Sequence, residues 1–172
     1  DIFAGGFMYD GVSGITNWIF SYNNNGSSFD PAVLAMPTPF PFYSSYGDGF
    51  TPMNFRNDAA LSFGDIDGNG ATDLIVGGSN YNFGSNELQF LMNSCTATDA
   101  SFDSPQENLF SLAPNTSAYS ECIVPALIDI DNDGDLDLMT GVDFSDPFTY
   151  NRQTAFILHE NKGTTDNPLF AD

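Results

Sequence analysis

Basic residues are almost missing. Only Arg56, Arg152 and Lys162 stand against 23 acidic residues, so the 172-residue chain carries a formal charge of −20. Phosphate recognition rests on clustered Lys and Arg, so nucleic acid is excluded as a partner and an anionic membrane surface is disfavoured. Apolar runs are short too. No stretch approaches the roughly 18 residues of a transmembrane helix, so membrane insertion is not expected. The chain has a single histidine, His159, and no motif announces a Ser-His-Asp constellation around it. A lone histidine within a strand pattern is more often structural than catalytic. Two cysteines, Cys95 and Cys122, are compatible with one disulfide in an oxidising compartment or with two buried thiols. Neither an initiator Met nor a signal-peptide pattern is present. Core-forming residues are plentiful. Hydrophobics at 41% and aromatics at 15% argue against disorder, and the length suits one domain with a sizeable core.

What the chain does have, it writes twice. Asp65-Ile66-Asp67-Gly68-Asn69-Gly70-Ala71-Thr72-Asp73 leads into Leu74-Ile75-Val76-Gly77-Gly78, and Asp129-Ile130-Asp131-Asn132-Asp133-Gly134-Asp135-Leu136-Asp137 leads into Leu138-Met139-Thr140-Gly141. Oxygen side chains fall at loop positions 1, 3, 5 and 9, with glycine at position 6. A tightly curled loop turns alternate side chains inward, which suits a hard cation such as Ca²⁺ with its six to eight oxygen ligands at about 2.3–2.6 Å. Position 7, Ala71 or Asp135, offers its carbonyl, so its side chain is free to vary. Eight of the acids lie in the two loops, and two bound Ca²⁺ would bring the net charge to about −16. An EF-hand is excluded, because it needs a bidentate Glu at position 12, where Val76 and Thr140 stand here, and flanking helices. The metal-free alternative is a hairpin turn rich in Asp, Asn and Gly. Two matching copies favour the cation, since empty loops crowd their carboxylates at a Coulombic cost.

The repetition extends beyond the loops. Asp129 follows Asp65 by 64 residues, and Ser101-Phe102-Asp103-Ser104-Pro105 echoes Ser28-Phe29-Asp30-Pro31 at 73 residues. Three units result, at about 1–31, 58–105 and 123–172, with an aromatic and proline-rich insert at 32–57. Each offers three clear strands and a weaker fourth near the Phe-Asp-Pro landmark. The clear strands of the later units include Ala59–Gly64, Leu74–Gly78, Glu87–Asn93, Leu138–Gly141 and a run from Ala155. No stretch shows a helical apolar period. The reading is all-β: four-stranded antiparallel β-propeller blades, about two and a half of a larger, seven-bladed ring. A β-sandwich carrying two calcium hairpins is the alternative. Asp1-Ile2-Phe3-Ala4-Gly5-Gly6 aligns with Asp73 to Gly78, so Asp1 stands as the ninth residue of a third loop. The chain is therefore expected to be a fragment whose partner blades lie outside it.

The recurring Asp-x-Asp-x-(Asp/Asn)-Gly-x-x-Asp-hydrophobic pattern resembles the FG-GAP/VCBS repeats of integrin-alpha-like β-propellers. The resemblance covers nearly the whole chain outside residues 32–57. It implies Ca²⁺ on Asp65, Asp67, Asn69 and Asp73, and on Asp129, Asp131, Asp133 and Asp137. The Gly-Ala-Pro of the family is replaced by Val76-Gly77-Gly78 and Thr140-Gly141-Val142. The Asn-x-Gly that follows the third strand is present at Asn24 and Asn161 but reads Asn93-Ser94-Cys95 in the middle unit.

Up-and-down connectivity puts the metal loops on one face and the connections from second to third strand on the other. Those connections carry Phe7, Tyr9, Tyr81, Phe83, Phe144, Phe148 and Tyr150, and the insert adds Phe40, Phe42, Tyr43, Tyr46 and Phe50. Tyr43, Tyr46, Tyr81 and Tyr150 are the candidate contacts for a glycan or protein ligand. Such loops also fold back and bury their own rings. The expectation is a secreted or cell-surface, bacterial, calcium-stabilised module for binding, adhesion or scaffolding. The alternative is a propeller domain of a secreted polysaccharide lyase or hydrolase, for which no carboxylate pair is singled out among the acids.

Overall fold

The structure, a computed structural model, describes residues 2–9, 15–22, 33–34, 57–79, 88–94, 102–103, 106–107, 110, 112, 119–145, 149 and 151–171. These residues are all-β and contain no helix, so no helix among them is long and apolar enough to cross a membrane. The strands are β1 (Ile2–Tyr9), β2 (Ile15–Tyr22), β3 (Val33–Leu34), β4 (Asn57–Gly64), β5 (Asp73–Ser79), β6 (Gln89–Leu91), β7 (Gln106–Glu107), β8 (Tyr119–Ile128), β9 (Asp137–Ser145), β10 (Arg152–Asn161) and β11 (Phe170–Ala171). They form three antiparallel sheets with strands in chain order: β1-β2-β3, β4-β5-β6-β7 and β8-β9-β10-β11. The second and third sheets each consist of three longer strands and a two-residue edge strand.

The sheets stack in sequence order, β1 and β2 against β4, and β4 and β5 against β8. The middle sheet is therefore covered on both sides. That is why Leu74, Ile75 and Val76 of β5 are apolar without alternation and are all fully buried. Among the described residues, the core cluster lies between the second and third sheets and contains Ile75, Phe90, Ile123, Leu138 and Val142. Phe110 joins two edges of that core: its ring meets Phe90 edge-on at 5.1 Å and Phe170 at 4.9 Å. Pro125 lies in β8, an edge strand, where its missing N–H leaves no inner ladder bond unmade. The opposite face of the third sheet is open, with Val124, Leu158 and Phe156 exposed, the last at 82%.

Several strand limits differ from the sequence reading. β1 and β9 reach further than their apolar runs, so Phe7, Tyr9 and Phe144 are paired strand residues, opposite Asn17, Ile15 and Gln153, and are not link residues. β8 begins at Tyr119 and takes a bulge between Ser120 and Cys122, ahead of the mostly apolar residues Ile123–Ile128. In the expected strand Glu87–Asn93, of which residues 88–93 are described, the ladder is the short β6, after which Asn93 makes a lone bridge to Phe102. Ladder bonds are made by backbone, so pairing continues wherever a neighbour is present, whatever the side chains.

Candidate metal centres

Each Asp-rich loop joins the first strand of its sheet to the second: β4 to β5 through residues 65–72, and β8 to β9 through 129–136. The two loops share one set of hydrogen bonds. At position 9, Asp73 Oδ2 accepts from Ile66 N–H at 2.8 Å and Asp137 Oδ2 from Ile130 N–H at 2.9 Å. Position 1 takes the amide of position 6, Gly70 to Asp65 Oδ2 at 2.9 Å and Gly134 to Asp129 Oδ2 at 3.2 Å. Position 3 takes the amide of position 5, Asn69 to Asp67 and Asp133 to Asp131. Position 5 takes the amide of position 7, Ala71 to Asn69 Oδ1 at 2.7 Å and Asp135 to Asp133 Oδ1 at 2.9 Å. Every turn of the loop is thus closed by one of the predicted ligands, and the side-chain oxygens at those positions, carboxylate or carboxamide, organise the backbone.

The curl needs left-handed backbone at two positions. Position 4 has φ 69° in Gly68 and 62° in Asn132, and position 6 has φ 85° in Gly70 and 99° in Gly134. Glycine and asparagine are the residues that adopt this conformation at least cost.

This geometry brings carboxylates together. Oxygens of Asp65, Asp67 and Asp73 lie within 4.8 Å of one another, as do those of Asp129, Asp131 and Asp137. Oxygens sharing one Ca²⁺ lie at most about 5 Å apart, so both groups fit a single hard cation. An observation at the first loop supports the fit: Asp65 Oδ1 is buried and meets no hydrogen-bond donor. Without a cation, a carboxylate pair 4.8 Å apart repels by roughly 1 kcal/mol in water and about 3 kcal/mol at a protein surface. Burial pushes Asp73 above the ordinary 3.8, the amides of Asn93 and Ile66 partly offset this, and Asp67 and Asp65 raise it further. Asp131 is raised as well, by desolvation and then by the adjacent Asp133 carboxylate. Its side chain is exposed, so the carboxylate carries more weight.

One supporting residue comes from the end of β10, Asn161, and one from just after β6, Asn93. Asn93 N–H donates to Asp73 Oδ1 at 2.7 Å and Asn161 N–H to Asp137 Oδ1 at 2.8 Å. Both asparagines are buried. The sequence reading noted Asn-x-Gly at Asn161 as a repeat landmark and gave it no such role; Asn93, without the glycine, makes the same backbone bond. Asn69 Nδ2 adds a bond to the Asn93 carbonyl at 3.2 Å. The sequence reading did not foresee Thr165, whose hydroxyl donates to Asp135 Oδ1 at 2.6 Å; it lies outside both loops. Tyr43, Tyr46, Tyr81 and Tyr150, and Cys95, lie outside the described residues, as do Arg56 and most of the insert.

Residues 65–140 match the family model of the FG-GAP-like repeat. The match starts at the first residue of the first loop and ends within β9, so it takes in both loops, the whole of β5 and the start of β9. No curated protein and no solved structure matches the chain. In the FG-GAP-like segment the apolar strand after each loop is what buries the ninth residue: Asp73 and Asp137 open β5 and β9 and are 0% and 2% exposed.

Proposed function

We propose that this chain is part of a calcium-stabilised β-propeller module, secreted or at a bacterial cell surface, that binds a glycan or protein ligand or serves as a scaffold. The observation that carries the reading is the paired hydrogen-bond scheme of the two loops, with converging carboxylates in each and the unpartnered Asp65 Oδ1 in the first. Asp65, Asp67, Asn69 and Asp73, with the Ala71 carbonyl, would hold one Ca²⁺. Asp129, Asp131, Asp133 and Asp137, with the Asp135 carbonyl, would hold the other. The ion would supply charge neutralisation and a fixed cross-link between adjacent strands. Stacked sheets in chain order, within a segment that carries an FG-GAP-like repeat, support reading them as successive blades of a ring of about seven. Aromatic residues of the insert and of the second-to-third-strand links, Tyr43, Tyr46, Tyr81 and Tyr150 among them, are the proposed ligand face.

Thermal unfolding with and without chelator tests the cation. Extracellular calcium modules bind at about 10⁻⁴–10⁻³ M, and free Ca²⁺ at about 100 times the dissociation constant adds about 2.7 kcal/mol per site. Chelation is expected to lower the melting temperature, and Asp129→Ala to remove part of that response. An unchanged melting curve in chelator, with no metal found by elemental analysis, refutes the reading.

A further inference from the structure

The turn that closes the third sheet touches both loops. Between β10 and β11 the chain reverses over Thr164–Asn167, whose amides and carbonyls pair at 3.2 and 3.0 Å. Thr165, within this turn, donates its hydroxyl to Asp135 Oδ1. Asp135 is position 7 of the second loop, and its side chain is buried, the residue being 7% exposed. The base of the turn is fixed to the same loop. Asn161 donates its amide to Asp137, and its Oδ1 accepts from Gly163 N–H at 3.0 Å and Leu169 N–H at 2.8 Å.

The other side of the turn meets the first loop, in the neighbouring sheet. A Cβ on Gly68 would stand 3.0 Å from both the carbonyl carbon and oxygen of Thr165, and 3.1 Å from the Asp166 nitrogen. Gly68 is position 4 of its loop, one of the two left-handed positions on which the curl depends. The equivalent residue of the second loop, Asn132, keeps a side chain at the surface. The second loop thus holds the turn at Thr165 and Asn161, and the turn lies against the first loop where that loop is most constrained.

We propose that residues 164–167 are a positioning element shared by the two loops, and that the loops therefore bind Ca²⁺ cooperatively. The inference rests on the cation reading above. A filled second loop orders Asp135 and Asp137, which fixes the turn against Gly68 and lowers the conformational entropy that the first loop loses on binding. Linkage makes the effect reciprocal: whichever ion binds first favours the second by the same factor.

The test is a Ca²⁺ titration of the whole chain followed by NMR. The amides of Gly70 and Gly134 report the two loops separately, because each donates to the first residue of its own loop. In the wild type, one loop fills second. Disabling the other, with Asp129→Ala or Asp65→Ala as required, is expected to weaken the later-filling loop by at least about fivefold. Thr165→Val, which removes the hydroxyl and leaves every ligand in place, is expected to weaken it by a similar factor at an unchanged stoichiometry of two. Thr165→Ser keeps the hydroxyl and is expected to retain wild-type affinity, which separates lost coupling from lost folding. Two ions that bind with midpoints unmoved by the other loop's disablement and by Thr165→Val overturn the coupling alone. A wild-type chain that binds no Ca²⁺ overturns the cation reading, and the coupling with it.

Discussion

Replacing Gly77 by alanine is expected to drive two sheets apart. Gly77 sits in β5 where β8 crosses it, and a Cβ there would stand 2.3 Å from the Ile123 carbonyl oxygen, 2.7 Å from Pro125 Cδ and 3.1 Å from the Ile123 carbonyl carbon. Heavy atoms in contact rest about 3.5–4.0 Å apart. The obstacle is backbone and a proline ring, neither of which has a rotamer to move to, so β8 must retreat by about an ångström. A gap of 0.5–1 Å forfeits roughly a quarter to a half of each dispersion contact across it, and the core between these sheets includes Ile75, Phe90, Ile123 and Val142. Overpacking costs typically 1–3 kcal/mol. With backbone as the obstacle, the upper end of about 3 kcal/mol is expected, a fall in melting temperature of about 6–12 °C for a chain of this length. Gly141 is the internal control. It occupies the same place in the next sheet, 64 residues on, yet its nearest obstacle is the Phe156 ring at 3.5 Å. Neither glycine has left-handed backbone, so Gly141→Ala is expected to be neutral or to stabilise by about 0.4–1 kcal/mol through the unfolded chain. Thermal and urea unfolding of the three proteins in saturating Ca²⁺ decide the matter. A Gly77→Ala protein as stable as wild type refutes the stacking; a Gly141→Ala protein that falls as far shows that the open face of the third sheet is covered in solution.

In chelator, stability is expected to fall as pH rises from 3.8 through the raised pKa of Asp73, because the folded state there binds more protons than the unfolded one. Saturating Ca²⁺ should reverse the sign, and Asp73→Asn should remove this part of the slope; identical pH profiles with and without Ca²⁺ would contradict both. Phe90→Ala, at a fully buried position, is expected to cost about 3–5 kcal/mol, whereas Phe156→Ser, at 82% exposure, should change chemical-denaturation stability by about 0.5 kcal/mol or less. If the ligand face binds glycan, Tyr43→Ala or Tyr81→Ala should weaken binding on a glycan array and leave the melting temperature near wild type. A loss of several kcal/mol would instead assign those rings to the core.

The Asp-rich loops were legible because their information is local. Nine consecutive residues carry the candidate ligands and the position 6 glycine, so the curl of Asp65 to Asp73 and the convergence of its carboxylates follow from local spacing. Strand existence was legible from the apolar runs, but strand length was not. β9 continues past Gly141 through Val142, Asp143 and Phe144 because β8 and β10 lie on either side to pair with it. Arg152 reaches across that extension to an ion pair with Asp143, which no apolar pattern could mark. Thr165 was illegible for a different reason. It bonds Asp135 and faces Gly68, contacts 30 and 97 residues distant in sequence, and only the stacking of sheets brings them together.

The same register that aligns the loops also locates the lone histidine. His159 pairs with Leu138 in β9, as Leu91 of the preceding sheet pairs with Leu74 in β5. The repeat therefore puts a histidine where its sister sheet has a fully buried leucine, and His159 is itself only 1% exposed. A general acid or base must come within hydrogen-bond reach of a substrate, and a side chain at this position faces the stacked core in place of solvent. An enzyme reading of this chain thus cannot bring its one histidine to a substrate without exposing a side chain that this fold buries. His159→Leu, which restores the residue type of the equivalent site, is accordingly a packing change within a β-sheet and leaves every carboxylate of the two Asp-rich loops in place.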